Sequence, residues 1–321
     1  MVSINFKNVY INEVYSLASL DEYKGNIKNA NKYIDDLYYG EKTYEAAEIK
    51  MQKEVLSNLN IEDALVIGGD LSNQLGNMNY TLANYNNSFL GIYSACSSFI
   101  ESLILASIMV DNNINNKCVC LTSSHVMTSE RQFRYPNEYG SLKSIYTTVT
   151  MTGAVGAIVS NKKSKYKIIN ATIGKVIDYK IKDASNIGAI MAPGVASTIN
   201  SHLYNNKKTM SDYDLIITGD LGELGLTLLK KVLANDYGIL NTKNIIDAGS
   251  LIYKKNQNKY LGASGPTVLP FYLFNKVFNK KDIKRILVCG SGSLHNPTLV
   301  NQKFSIPSIS HVIELEVDNV N

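Results

Sequence analysis

Cys96 stands in Ser94-Ala95-Cys96-Ser97-Ser98, a run of small residues between the β-rich Phe89-Leu90-Gly91-Ile92-Tyr93 and an apolar stretch over 99–110 that reads as a helix. A thiol at a strand-to-helix turn lies near helix N–H groups, which lower its pKa and can line an oxyanion hole. The same composition also suits an inert, buried cysteine whose small neighbours let the backbone pass close to another segment. A nucleophile needs a base, and the chain has four histidines. His125 ends the next strand and could share a pocket with Cys96. His295 holds the matching place in the second half of the chain. His202 falls in a helix over 196–203 and reads as a surface or helix-end residue. His311, within Ile309-Ser310-His311-Val312-Ile313, alternates on a strand and reads as structural.

A second group of chemistry-bearing residues runs from Ser123 to Gly140, after the apolar Cys118-Val119-Cys120-Leu121. It reads as a polar loop at the end of a buried strand, where α/β proteins place ligand contacts. His125, Arg131, Gln132 and Arg134 fall within ten residues. Arginine forks match carboxylates bidentately, so the set suits a small anion. A solvated, charged loop is the competing reading. Gly290-Ser291-Gly292 resembles a phosphate-cradling turn but lacks the P-loop lysine and the G-x-G-x-x-G spacing. Neither H-E-x-x-H nor C-x-x-C occurs, so no metal site or cofactor is expected.

These residues sit on a repeated framework. Ala64-Leu65-Val66-Ile67-Gly68-Gly69-Asp70-Leu71 recurs as Asp214-Leu215-Ile216-Ile217-Thr218-Gly219-Asp220-Leu221. Each copy is a short apolar run ending in Gly-Asp, and each follows a helical pattern. Two further stations match in the same order. The segment through Cys96 pairs with Lys259-Tyr260-Leu261-Gly262-Ala263-Ser264-Gly265, which leads into a helix-like 267–277. The strand before His125 pairs with Ile286-Leu287-Val288-Cys289. Duplication of an alternating strand–helix unit predicts an α/β fold of two pseudo-symmetric halves, 1–163 and 164–321.

Composition narrows the classes. At 321 residues, with 45% hydrophobic and 19% charged residues, the chain is a well-buried globular protein. A net charge of +4 with scattered lysine pairs gives no case for nucleic acid. No stretch approaches the ~18 apolar residues of a membrane span. Four cysteines without paired spacing fit a reducing, intracellular setting; Cys118 and Cys120 share one strand face as apolar fillers.

With these residues in view, the chain resembles the thiolase-like superfamily, and within it the stage V sporulation protein AD family of spore-forming bacteria. The resemblance rests on Gly69-Asp70-Leu71-Ser72-Asn73-Gln74, Gly91-Ile92-Tyr93-Ser94-Ala95-Cys96-Ser97 and Glu130-Arg131-Gln132-Phe133-Arg134-Tyr135-Pro136. It extends through Thr150-Met151-Thr152-Gly153-Ala154 and Ser305-Ile306-Pro307-Ser308-Ile309-Ser310-His311, over nearly the whole length. It implies a duplicated βαβαβ core with central helices between mixed sheets, and binding in place of turnover. The implied ligand is dipicolinic acid (pyridine-2,6-dicarboxylate), accompanied by calcium, moved into the developing spore with membrane proteins of the same operon.

On this reading Arg131 and Arg134 pair the carboxylates, while Cys96, Ser97, His125 and Gln132 line the pocket. Asp220 holds an arginine or meets the calcium. A homodimer, and a place at the spore inner membrane through partners, are also implied. The catalytic relatives carry a histidine where this chain has Asp220, and an Asn or His where it has Ala263. An acyltransferase using Cys96 on an acyl thioester is the alternative.

Overall fold

The structure is a computed structural model and describes residues 1–134 and 143–318, with only the backbone of Arg134. Its strands in the first half are β1 (Val2–Asn5), β2 (Tyr10–Ser19), β3 (Lys32–Ile34), β4 (Leu65–Gly69), β5 (Phe89–Gly91), β6 (Lys117–Ser124), β7 (Val149–Thr150) and β8 (Gly153–Ser160). The second half adds β9 (Tyr166–Ile173), β10 (Leu215–Thr218), β11 (Ile245–Asp247), β12 (Ala263–Ser264), β13 (Arg285–Cys289), β14 (Gly292–Ser293), β15 (Ser308–Ile309) and β16 (Val312–Val317).

The main sheet runs β11-β10-β13-β16-β9-β2-β8-β6-β4-β5, with β1 on β9 and β3 on β2. It reads as the same motif twice. In the first half β5, β4 and β6 are parallel, and β8 and β2 follow antiparallel. In the second half β11, β10 and β13 are parallel, and β16 and β9 follow antiparallel. The halves meet where Tyr10 and Ile11 pair with Lys167 and Tyr166.

Helices close the layers. They are α1 (Leu20–Lys24), α2 (Tyr44–Ser57), α3 (Gly76–Leu82), α4 (Ser98–Asp111), α5 (Val126–Arg134), α6 (Ile187–Asn206), α7 (Gly222–Tyr237), α8 (Gly249–Ile252), α9 (Val268–Tyr272) and α10 (Pro297–Asn301). A buried helix is apolar round most of its circumference, and so is α4: Phe99, Ile100, Leu103, Ile104, Ala106 and Val110 are buried, and Glu101 is the one acid in its first turn. Its serines return their hydroxyls to the helix, Ser102 to Phe99 O at 2.7 Å and Ser107 to Leu103 O at 2.6 Å. This removes the cost of burying them.

The α4 core continues through α9 and the π-turn Leu273–Val277, with the Phe99 and Phe274 rings 5.7 Å apart, and contacts the inner faces of both half-sheets. Helices α2 and α3 cover the outer face of the first half, and α6 and α7 that of the second. Cys118 and Cys120 lie in the central core as apolar fillers.

Three expectations change. The segment from Val126 to Arg134 is a helix, α5, where a loop was expected; it carries no glycine or proline to break it. In the second half the strand matching β5 is Ile245–Asp247, beside β10. Ala263–Ser264 instead pairs with β7 outside the main sheet, because α8 and a long loop are inserted between the two. His202 is fully buried, against its reading as a surface residue. There its Nδ1 lies 2.8 Å from Thr172 Oγ1 and its Nε2 3.0 Å from Tyr213 Oη, beside the buried Glu314.

Candidate functional site

The site grows from two turns, one in each half of the repeat. After β5, Ala95 takes a left-handed φ of 51°, a costly conformation for a residue with a Cβ. The chain thereby bends sharply, and Cys96 stands in the 3₁₀ turn Ala95–Ser97 at the head of α4. After β10, Asp247 at the end of β11 fixes the opposite turn: its carboxylate accepts from Leu221 N at 2.9 Å and from Gly222 N at 3.0 Å. Gly222 has φ +69°, and a Cβ there would lie 2.8 Å from Leu261 O, so the turn requires glycine. Asp220 is thereby held pointing inward.

These turns bring Asp220 and Cys96 together. The Cys96 thiol lies beside the Asp220 carboxylate, close enough for the charge and hydrogen bonding of one to act on the other. Asp220 also accepts from Ser291 Oγ at 2.7 Å and from Gly265 N at 3.0 Å. That last amide is delivered by β12, which runs parallel to β7 with Ala263 opposite Val149. Gly265 has φ +117°, and Ser124 occupies the space a side chain would need.

Ser97 is buried beside Cys96, its Oγ without a partner and close to Gly290. The motif Gly290-Ser291-Gly292 thus contributes a hydroxyl to a carboxylate. Ala263, fully buried, brings no polar side-chain atom to the site.

Electrostatics follow from this packing. Burial, then the negative charge and hydrogen bond of Asp220, hold the Cys96 thiol well above its ordinary pKa. The lowering expected from a helix N-terminus is therefore overridden. Burial also pushes Asp220 up to about 7, against the hydrogen bonds from Cys96, Gly265 and Ser291.

The α5 residues form a second group. His125 is buried, its Nδ1 accepting from Met127 N at 3.1 Å and its Nε2 lying 2.8 Å from Leu37 O. The pattern places the proton on Nε2 and commits both ring nitrogens to the protein. Burial lowers its pKa, keeping it neutral. Its ring lies 5.2 Å from Tyr44, which stacks on Tyr38.

Arg131 pairs with Glu45 of α2 and lies 5.9 Å from the Tyr44 ring, half-exposed. Gln132 is half-buried on α5, and the side chain of Arg134, like residues 135–142, lies outside the described residues. Phe133 packs 5.3 Å from the His295 ring, so α5 reaches the segment after β14. The structure therefore joins Cys96, Ser97 and Asp220, while His125 and Arg131 are docked on α2.

Sequence reasoning missed Ser291 and Gly265 as partners of Asp220, and Asp247 as its anchor. The repeated Gly-Asp signal marked the turn itself. Among the described residues no group of three or more His, Cys, Asp and Glu side chains is placed to hold a metal ion.

A family model described as stage V sporulation protein AD matches residues 2–316. The chain belongs to the stage V sporulation protein AD family. Stage V sporulation protein AD of Bacillus subtilis (strain 168) is 34% identical over 319 residues, covering 96% of this chain and 94% of that protein. Membership gives the chain a role in sporulation.

Solved structures share the fold at low identity. The 3-oxoacyl-[acyl-carrier-protein] synthase III of Aquifex aeolicus aligns at 14% identity and TM-score 0.55, over 98% of this chain and 99% of that one. OleA of Xanthomonas campestris aligns at 11% identity and TM-score 0.62, over 98% and 99%. The fold of this family member is thus thiolase-like, as the sequence resemblance implied. No helix among the described residues is long and apolar enough to cross a membrane.

Proposed function

We propose that this chain binds dipicolinic acid as its calcium chelate, without turning it over, and serves its uptake into the developing spore. The observation that carries the noncatalytic part is the placement of the Asp220 carboxylate beside the Cys96 thiol. A nucleophilic cysteine needs a base that takes its proton and a cation or dipole that favours thiolate. Here burial and a neighbouring carboxylate favour the neutral thiol. Ala263 supplies no hydrogen-bond donor for a developing oxyanion.

Family membership supports the ligand class. The chemistry of the site supports the chelate over the free dianion. Around Cys96 the described polar groups include the Asp220 carboxylate, the Ser291 and Ser97 hydroxyls and the Gly265 amide. A bare dianion would meet Asp220 as a like charge. The calcium chelate is neutral, and dipicolinate fills only part of the calcium's shell of 6–8 oxygen ligands. Asp220 and neighbouring hydroxyls suit the open positions, while Arg131 and Arg134 on α5 suit the outer carboxylate oxygens.

Membrane proteins of the same operon would hold the chain at the spore inner membrane. A homodimer would form through β5, the terminal strand of the sheet, where Leu90 is exposed.

Calorimetric titration with dipicolinate, with and without calcium, tests the reading. Saturable binding that strengthens with calcium, weakens in Asp220→Asn and fails in Arg131→Ala/Arg134→Ala supports it. Absence of binding together with acyl transfer from acetyl-CoA to Cys96 would replace it with an acyltransferase.

A further inference from the structure

The loop from Tyr253 to Gly262 is part of the insertion that separates β12 from β11. It bounds a surface cavity of about 380 Å³, lined also by Glu223 at the start of α7 and Ser250 of α8. Three of the lining residues are lysines: Lys254, Lys255 and Lys259. Lys259 is committed, its Nζ 2.6 Å from Asp21 Oδ2 and 5.5 Å from the Tyr253 ring. Lys254 and Lys255 are exposed and form no ion pair among the described residues. Glu223 is the one acid of the lining, and it stands in the first turn of α7, where the helix end already favours its charge. The cavity therefore offers two uncommitted ammonium groups to an anion.

Beside the cavity the surface turns apolar. The ladder of β12 and β7 is framed by Val149 N, which bonds Gly262 O at 2.9 Å, and by Leu261 N, which bonds Thr147 O at 3.1 Å. Those bonds set Ile145 and Tyr146 alongside Tyr260. All three are exposed, Ile145 at 70%, Tyr260 at 50% and Tyr146 at 44%. Tyr260 also holds a left-handed φ of 49°, a costly conformation for an aromatic residue. One exposed apolar side chain is ordinary, whereas several together with a polar rim mark an interaction surface.

The occupant of this surface must be anionic and apolar at once. Protein interfaces are depleted in lysine, so three lysines around the apolar group argue for lipid over a protein partner. An anionic bilayer supplies phosphates for the ammonium groups and an interfacial layer in which tyrosine rings settle. A free phosphate would engage the lysines and leave Ile145 and Tyr260 in water.

We propose that this edge of the molecule docks directly on an anionic phospholipid surface. The cavity takes a lipid phosphate on Lys254 and Lys255, while Tyr260, Ile145 and Tyr146 enter the interfacial layer. The contact needs no membrane protein, and it stands whether or not the chain binds dipicolinate. The loop runs on to Gly265, whose N–H reaches Asp220, so the docked edge is continuous with the Cys96 site.

The test is co-sedimentation of the full chain with vesicles of phosphatidylcholine, with and without phosphatidylglycerol. Binding is expected only with phosphatidylglycerol, and it should weaken as salt rises. Lys254→Gln/Lys255→Gln should bind about thirtyfold more weakly, roughly fivefold for each charge lost at the surface. Tyr260→Ser/Ile145→Ser should lose about tenfold while keeping the salt dependence, since it removes apolar area and no charge. Lys162→Gln/Lys163→Gln takes the same charge from the exposed turn between β8 and β9 and should bind like the wild type. Every variant changes exposed side chains, and unchanged melting temperatures verify the fold.

An equal loss in the Lys162→Gln/Lys163→Gln protein would reduce the contact to net charge and overturn the proposal. Absence of vesicle binding, or binding to phosphatidylcholine that phosphatidylglycerol does not strengthen, would do the same. A melting temperature raised by inorganic phosphate through Lys254 and Lys255, with no vesicle binding, would replace the lipid with a free phosphate.

Discussion

The thiol of Cys96 and the carboxylate of Asp220 lie side by side across the junction of the two halves, beyond the C-terminal ends of β5 and β10. A carboxylate here changes what the same fold can do. An imidazole could relay a proton and leave the cysteine as thiolate, whereas an anion beside a half-buried thiol resists that second negative charge. Alkylation of Cys96 by iodoacetamide at pH 8 should therefore be slow. Asp220→Asn removes the charge while keeping the side chain's size, so the thiol becomes more acidic and a larger fraction of it is thiolate. A rise of about tenfold or more in the labelling rate is expected, the factor that ~1.4 kcal/mol of relieved repulsion would give. Equal rates in the two proteins would show that burial alone silences the thiol.

Three buried acids give the protein an unusual pH dependence. Asp247, Asp220 and Glu48 are raised to about 6, 7 and 8, in each case with burial as the first cause. A carboxyl whose folded pKa exceeds its unfolded value binds its proton more tightly when folded. The stability gained from that proton is complete below the unfolded value near pH 4 and is lost as pH rises through the folded value. Melting temperature should accordingly fall between pH 6 and pH 9. Every tenfold difference in proton affinity between the folded and unfolded chain corresponds to ~1.4 kcal/mol. The decline should flatten in Asp220→Asn/Glu48→Gln, measured by thermal scans in matched buffers. A melting temperature that rises over this range in the wild type would contradict the assignment.

The repeat was legible because its carriers are strands buried on both faces. Leu65-Val66-Ile67 and Leu215-Ile216-Ile217 are continuous apolar runs, and each is closed by Gly-Asp or Thr-Gly-Asp. Those signals fixed the parallel cores, the turn bearing Cys96 and the turn bearing Asp220. Less was legible where one residue's role depends on a distant partner. Nothing local distinguishes Asp70, which caps a turn through Ser72 and Met78, from Asp220, which meets Cys96. Ile245-Ile246 is too short a run to mark β11, and Glu48 sits in a helix whose spacing shows only that it lies near Met51 and Val55. The polar character of α5 suggested a loop, yet its buried Thr128 is polar because it meets Glu48, while the buried Ser129 hydroxyl has no hydrogen-bond partner among the described residues.

His202 shows the same limit and carries a prediction of its own. It is completely enclosed between Thr172 and Tyr213, near a Glu314 that Lys208 also engages at 2.6 Å. Truncation to alanine leaves buried polar groups without partners, which costs ~1–3 kcal/mol for each such group. His202→Ala should lower unfolding free energy in urea by about 3 kcal/mol. A surface histidine would shift it by less than about 0.5 kcal/mol. The smaller change would mean that water replaces the ring without loss.

Gly290 tests whether the space beside Cys96 is used by a ligand. A Cβ at this position would lie 2.4 Å from Ser97 Oγ and 3.0–3.2 Å from Ile100, and no real side chain tolerates the first distance. Ser97 must therefore move, and it adjoins Cys96 at the head of α4. The overpacking itself costs ~1–3 kcal/mol, which a domain of ordinary stability survives. Gly290→Ala is expected to fold, with a lowered melting temperature, and to lose about tenfold or more in affinity for dipicolinate with calcium, each ~1.4 kcal/mol of lost contact being a factor of ten. Ser97→Ala, which removes the unpartnered hydroxyl and relieves the clash, should restore the melting temperature of Gly290→Ala but not its affinity if that hydroxyl contacts the ligand. Full affinity in the folded Gly290→Ala protein would move the binding site away from Cys96, toward the face of α5 that carries Arg131.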